Sequence, residues 1–288
     1  MVFPRSSRLS LSQSISLALA YSLRFSYPLS PQEAWYWQPF TSYPLAAFLS
    51  RPHQYKGFLS VPDCSRLISL RRSREKTSRK KLQILNSVVA VLRRFPFIQA
   101  VYLTGSLAMN NCKPDDDIDI MIISSPHTVW LTRFLVVIFL VITGQRRPPG
   151  LFRHSSPEVA NKICDNLYLS TNRLTVPHHP GFCSENLYLA HEILQSKLLW
   201  GPPGIAQNFL RANSWVSAYL PVAYSQQFNP SVSPLSSSVG SFASGLLFFL
   251  NSLCFLGQYL YMRSGLTTEK VGLEYAFFHP GKTPIDSN

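Results

Sequence analysis

Apolar residues recur at helical spacing from Leu67 to Arg94, where Leu82, Leu85, Val88, Val89 and Leu92 would line one side of a long helix. Pro96 ends that helix, and Ile98 to Leu103 then reads as a strand. A second strand is predicted over Asp117 to Ile123, and a helix follows from about Thr128 to Thr143, stopping at Gly144. That helix is apolar nearly all round. At ~24 Å it is short for a bilayer and it carries Arg133, so the expectation is a core helix buried against a sheet. A third strand is predicted at Ile163 to Leu169. A helix is then expected over about Glu185 to Leu199, with Leu187, Ala190, Ile193, Leu194 and Leu198 inside. Strands alternating with helices predict an α/β (α+β) core over residues 67–200.

The two ends follow different patterns. At the start, Arg5 and Arg8 precede a moderately apolar run from Leu9 to Leu23, as in a targeting peptide, but Gln13 and four serines dilute it. It continues into Pro28-Leu29-Ser30-Pro31-Gln32-Glu33, a turn and helix start with Ser30 as N-cap and Glu33 closing a capping box. Residues 1–66 therefore read as a small winged-helix-like module, with Trp35, Tyr36 and Trp37 in its core. At the other end, 201–288, there is no charged residue from Ala212 to Met262. Pro230 to Ser241 reads as a loop. Residues 243–262 are long enough to span a membrane, but Asn251, Ser252, Gly257 and Gln258 favour a packed amphipathic helix.

Composition excludes some classes and sharpens others. With 288 residues, 46% hydrophobic, and a mean hydropathy of +0.05, the chain is neither disordered nor fibrous. The five cysteines are scattered without a Cys-x-x-Cys pair, which argues against a disulfide scaffold or a cysteine zinc site. His178, His179 and Cys183 lie close in sequence but lack a fourth ligand. The net charge of +13 is concentrated: residues 1–94 hold 15 Lys/Arg against Glu33, Asp63 and Glu75. Seven of these basic residues fall between Arg71 and Lys81, a stretch that suits an anionic partner such as nucleic acid or is simply a solvated face.

The most specific chemistry is Leu103-Thr104-Gly105-Ser106, ten residues, then Asp117-Ile118-Asp119 entering an apolar strand. Two apart on a strand, Asp117 and Asp119 project from the same face. Adjacent carboxylates repel, and a divalent cation such as Mg²⁺ relieves this. Upstream, the Gly-Ser turn offers backbone N–H groups and a hydroxyl to a phosphate. An acidic surface turn before an ordinary strand would explain neither the Gly-Ser spacing nor the parity of the two aspartates.

Gly-Ser followed after ten residues by Asp-x-Asp in a hydrophobic strand resembles the signature of the DNA polymerase beta-like nucleotidyltransferase superfamily. A looser likeness runs from Ala18-Leu19-Ala20-Tyr21 through Ala190-His191-Glu192-Ile193-Leu194-Gln195 to Phe277-Phe278-His279-Pro280, as in bacterial nucleotidyltransferase-domain proteins of unknown acceptor. The resemblance implies a mixed sheet flanked by helices, two Mg²⁺ ions, and transfer of a nucleoside monophosphate from an NTP, ATP among them, to an acceptor. It assigns Gly105 and Ser106 to the triphosphate and Asp117 and Asp119 to metal. It makes Asp165 the candidate third carboxylate, unless Asn166 faces the site instead. Arg146, Arg147 and Lys162 are candidate counter-charges to phosphate, and His191 is expected to be a packed histidine. Two alternatives stay open: an inactive nucleotide-sensing or nucleic-acid-binding protein using its basic first third, and an enzyme held to a membrane by residues 243–262. The need for NTP predicts a cytoplasmic location.

Overall fold

The computed structural model describes residues 9–51, 54–148, 156–232, 241–263 and 269–278. Arg5, Arg8, His279, Pro280 and most of the loop predicted at Pro230 to Ser241 lie outside them. The chain opens with α1 (Leu11–Leu23), α2 (Pro31–Tyr36), α3 (Leu45–Leu49) and a hairpin of β1 (Gln54–Tyr55) and β2 (Phe58–Leu59). The long helix α4 (Cys64–Leu92) leads to β3 (Ile98–Leu103), the single turn α5 (Gly105–Ala108), β4 (Ile118–Ser124), α6 (Val129–Ile142) and β5 (Ile163–Ser170). There follow α7 (Ser184–Gln195), β6 (Lys197–Trp200), α8 (Pro203–Ala212), a 3-10 turn at Ser214–Ala218, α9 (Pro221–Gln227), α10 (Ser241–Met262), β7 (Lys270–Gly272) and β8 (Tyr275–Phe277).

Six strands form one mixed sheet in the order β6-β3-β4-β5-β8-β7, with β4 and β5 parallel and the other neighbours antiparallel. The predicted helix to Leu199 is corrected here. Ser196 turns extended at φ −61, ψ 140, its hydroxyl donates to the Ile193 carbonyl, and Lys197–Trp200 pairs with β3. An unpaired sheet edge satisfies these backbone groups better than one more helical turn. Strands from the last part of the chain thus complete the sheet of the middle part.

Alternation along β3 and β4 gives the sheet two different faces. Ile98, Val101, Leu103, Ile118, Ile120 and Ile122 pack under α4 and α6. Ala100, Tyr102, Met121 and Ile123 pack against α7, α8 and the segment after it. The N-terminal helices and hairpin form a third cluster of Ala18, Tyr27, Leu29, Ala34, Phe48 and Leu59. Met109 touches both that cluster and the second face, while Trp37 packs into the second face alone. The predicted capping box at Ser30/Glu33 is present, and a second one, not predicted, stands at Ser10/Gln13. The hairpin follows a third helix of only five residues, under two turns, shorter than a helix that reads a DNA groove.

The basic stretch of α4 divides by helical phase. Arg71, Arg74 and Lys81 lie on the stripe that continues through Leu85, Val88 and Leu92, and they turn inward. Arg71 bonds both carboxylate oxygens of Glu33 at 2.8 and 2.7 Å and lies 4.1 Å over the Tyr27 ring. Arg74 donates to the Phe25 carbonyl and to Asn111, and buried Lys81 donates to the carbonyls of Pro114 and Asp116. Arg72, Lys76, Arg79 and Lys80 are exposed. The stretch read as an anionic contact or a solvated face is therefore partly internal: three of its seven cations tie the N-terminal helices and the acidic turn to the core.

The apolar helices also differ from expectation. Arg133 of α6 is itself buried, donating to Gln258 and stacking over Phe278 at 4.5 Å. Phe134, Ile138, Val141 and Ile142 of the same helix are exposed. The expected packed helix at 243–262 docks on α6 along one strip only. There Asn251 accepts from the Trp130 N–H at 2.8 Å, and Gln258 donates to the Trp130 carbonyl. Its outer side is bare, with Tyr261 81% exposed, and Ser244–Met262 is long and apolar enough to cross a membrane by length and composition.

Candidate functional site

The site forms where β3 turns into α5 beside the start of β4. Thr104 stays in the sheet through its N–H to the Asp119 carbonyl, and Gly105 then adopts φ +65. A Cβ at residue 105 would stand 2.3 Å from Asp119 Oδ2, so only glycine fits between turn and carboxylate. The Ser106 hydroxyl donates to Asp116 Oδ2 at 3.2 Å, and the Lys113 N–H donates to the same oxygen at 2.8 Å. Asp116 thereby holds the ten-residue connection in a closed loop. The residue expected to free the backbone for phosphate first of all makes room for Asp119, and the serine hydroxyl braces the loop.

Asp117 and Asp119 do share a face, the one covered by α7 and α8. Asp117 is buried at 4% exposure and pairs with Arg147, whose Nη1 lies 2.8 Å from its Oδ2. Asp119 accepts from the Asn166 amide at 3.1 Å. Burial pushes Asp119 up to about 6, against the lowering influence of Arg147.

Asp165 is the correction at this site. In the β4–β5 register Asp119 pairs with Cys164 and Met121 with Leu167, so β5 carries one residue more than β4 between them. This bulge re-aims the side chains. Asn166 swings toward Asp119, while Asp165 points to the opposite face, bonded to the Tyr168 hydroxyl at 3.1 Å and to Arg146 Nε at 3.3 Å. Tyr168 belongs to the core under α4 and α6. The position beside Asp119 is held instead by Cys164, whose sulfur comes within 4.8 Å of carboxylate oxygens of Asp117 and Asp119. Burial pushes the Cys164 thiol well above its ordinary range, with Asp119 and Asp117 adding to the effect.

Two carboxylates and a thiol converging on one point fit a single divalent cation, and among the described residues no other group of three ligands converges. His178 instead stacks on Trp215 at 4.4 Å. Asn186 bonds the backbone N–H and carbonyl of His179. Lys162 donates to the Gly144 carbonyl. Of the two adjacent arginines, Arg147 reaches the site and Arg146 the other face, as alternation in an extended chain requires.

In front of the acids lies a cavity of about 660 Å³. One end is lined by Gly105, Ser106, Asp117 and Asp119 together with Arg74 and Lys113; the rest is largely apolar, with Phe25, Trp37 and Leu189 on its walls. Helix α1 closes one side and α7 another, so the N-terminal module is part of the site. His191 is buried as expected, stacked 3.7 Å from the Tyr21 ring, and burial lowers it to about 3. Beside it Glu192 lines the same cavity, pushed up to about 7 by burial and by Asp119. Asn166, named from sequence as the alternative to Asp165, faces the site; Arg74, Cys164 and Glu192 were not singled out from sequence as site residues. The phase of Arg74 with Leu85 and Val88 was the available signal; for the others, register and tertiary packing decide.

Residues 87–144, from the end of α4 through α6, match the family model of the nucleotidyltransferase domain. Among curated proteins none matches the chain.

Proposed function

We propose that the nucleotidyltransferase domain of the polymerase beta-like superfamily carried by residues 87–144 moves a nucleoside monophosphate from an NTP to an acceptor that enters the cavity between α1 and α7. The observation that carries this reading is the convergence of Asp117 and Asp119 on one point against a glycine turn that admits no side chain. A divalent cation held there would neutralise phosphate charge and polarise the phosphorus–oxygen bond that breaks. Asp117 and Asp119 would hold that cation, with Asn166 fixing the Asp119 carboxylate through its amide. Gly105 and Ser106 would lie along the outer phosphates through their backbone N–H groups, and Arg74 and Lys113 would supply positive charge at that end. Excluding water from the apolar end would favour transfer to the acceptor over hydrolysis. A cavity of this size and lining suits a small acceptor with an apolar face, whose hydroxyl or phosphate attacks in line. An NTP substrate makes the cytoplasm the expected location.

A second reading, a nucleotide sensor without turnover, is favoured by one observation: Asn166 rather than Asp165 faces Asp119. Calorimetry with each NTP and Mg²⁺ or Mn²⁺ tests both readings. Metal-dependent binding lost in the Asp117→Asn/Asp119→Asn double variant supports the nucleotide site, and pyrophosphate release then distinguishes transferase from sensor. A folded wild type that binds no NTP would overturn both.

A further inference from the structure

The third converging ligand atom at the acidic site is sulfur. Cys164 lies directly across the strand pair from Asp119, and the bulge that follows it holds Asp165, a hard oxygen ligand, on the other side of the sheet. Two features mark the thiol as more than packing. The nearby positions on this face that carry no polar role, Met121 and Leu167, are filled by larger apolar side chains, whereas Cys164 sits among Asp117, Asp119 and Arg147, whose Nη1 lies 3.5 Å from its sulfur. Its sulfur also shares one point with both carboxylates, the arrangement that a bound ion needs and that apolar packing does not.

Thiolate sulfur is a soft donor and discriminates among divalent cations more sharply than carboxylates alone do. Mg²⁺ keeps to oxygen and retains water, whereas Zn²⁺, Co²⁺ and Cd²⁺ accept mixed oxygen and sulfur sets. We propose that Cys164 is a direct metal ligand and that the Asp117–Asp119–Cys164 site is selective for zinc-class divalent cations over Mg²⁺. On binding, the sulfur–metal bond forms as the thiol proton leaves to solvent, with no change of oxidation state. The proposal rests on the reading of the acidic pair as a cation site and specifies the class of ion.

The test uses the metal-free full-length protein and needs neither nucleotide nor acceptor. Titration with Co²⁺ is expected to produce a near-ultraviolet sulfur-to-cobalt charge-transfer band together with visible cobalt transitions. Cys164→Ser should abolish the first and retain the second. By calorimetry Zn²⁺ should bind at least ~100-fold more tightly than Mg²⁺ in wild type. In Cys164→Ser the Zn²⁺ affinity should fall ~10–100-fold while Mg²⁺ affinity changes little. Cys164→Ala, checked by circular dichroism, serves if the serine variant does not fold. Cobalt binding without the charge-transfer band, or a band that persists in the folded variant, overturns the sulfur ligand and leaves the two-carboxylate site standing. Absence of any cation binding by folded wild type overturns both.

Discussion

Asp119 and Asp165 stand on neighbouring strands of the same sheet, on opposite faces, and the sheet separates two uses of the same side chain. Asp165 is enclosed at 7% exposure with the Tyr168 hydroxyl and Arg146, on the side packed under α4 and α6. Asp119 opens onto a cavity and keeps an oxygen beside Asp117 and Cys164. A carboxylate whose oxygens are met by fixed partners has no capacity left for a ligand, and its removal is felt as lost stability. One buried beside a second carboxylate at a cavity stays costly even with Arg147 nearby, and a bound cation would relieve the remainder.

That contrast is sharpest when one carboxylate is neutralised at a time. The largest expected effect is from Asp119→Asn, which should lower pyrophosphate release by at least ~100-fold while leaving the melting temperature unchanged or higher; a melting temperature that drops instead would make Asp119 a structural acid like Asp165. Next, Gly105→Ala should weaken divalent-cation binding ~10-fold or more and cost ~1–2 kcal/mol of stability. Its Cβ collides with Asp119 Oδ2 and its backbone is left-handed. Denaturant titration with calorimetry reads both losses, and unchanged cation affinity would show that Asp119 has another position available.

His191 adds a pH dependence on the site face. Its folded value, lowered to about 3 by burial, lies below the ordinary 6.5, so between those values the unfolded chain binds a proton that the folded chain does not. The contribution of His191 is complete above pH 6.5 and falls as pH drops toward 3, by about 2 kcal/mol at pH 5, while Asp119 and Glu192, pushed up to about 6 and about 7, act with the opposite sign as they take up protons. In chemical denaturation at pH 7 and pH 5, His191→Phe should shift the change in stability between the two pH values by about 2 kcal/mol toward greater stability at pH 5, relative to wild type; the same change in both proteins would show that His191 does not carry this dependence. The smallest effect belongs to Asp165→Asn, expected to cost ~1 kcal/mol because Arg146 is partly exposed and gains water on losing its partner. Cation affinity should be unchanged in this variant, and a drop comparable to that of Asp119→Asn would erase the distinction between the faces.

Much of this was legible from one-dimensional pattern. The strand from Ile98 to Leu103 falls as predicted, and the parity of Asp117 and Asp119 follows from the two-residue period of a strand. The third carboxylate that the resemblance assigns to Asp165 lies on the other face, with Asn166 beside Asp119, because a bulge is set by pairing with β4, and nothing local to Cys164-Asp165-Asn166 announces it. Strand β6 was missed because a free sheet edge, a tertiary feature, outcompeted helical spacing at Leu198. The inward cations of α4 were readable in hindsight: Arg71, Arg74, Ser78, Lys81 and Leu85 keep one helical phase, but charge suggested solvent where the core supplied carbonyls. That α1 and Trp37 wall the cavity depends on contacts between residues more than a hundred positions apart, which no local pattern encodes.

The extra residue in β5 also sets which donors the sheet presents. If Cys164 were excised, Ile118 would still face Ile163, Asp165 would come opposite Asp119, Asn166 opposite Ile120, and Leu167 would keep its place beside Met121. A single in-frame codon therefore separates the present cluster of two acids and a thiol from one of three acids, without any substitution. The donor set at this point of the sheet is thus fixed by the length of one strand, and the helices packed on either side need not move for it to change from two acids and a thiol to three acids.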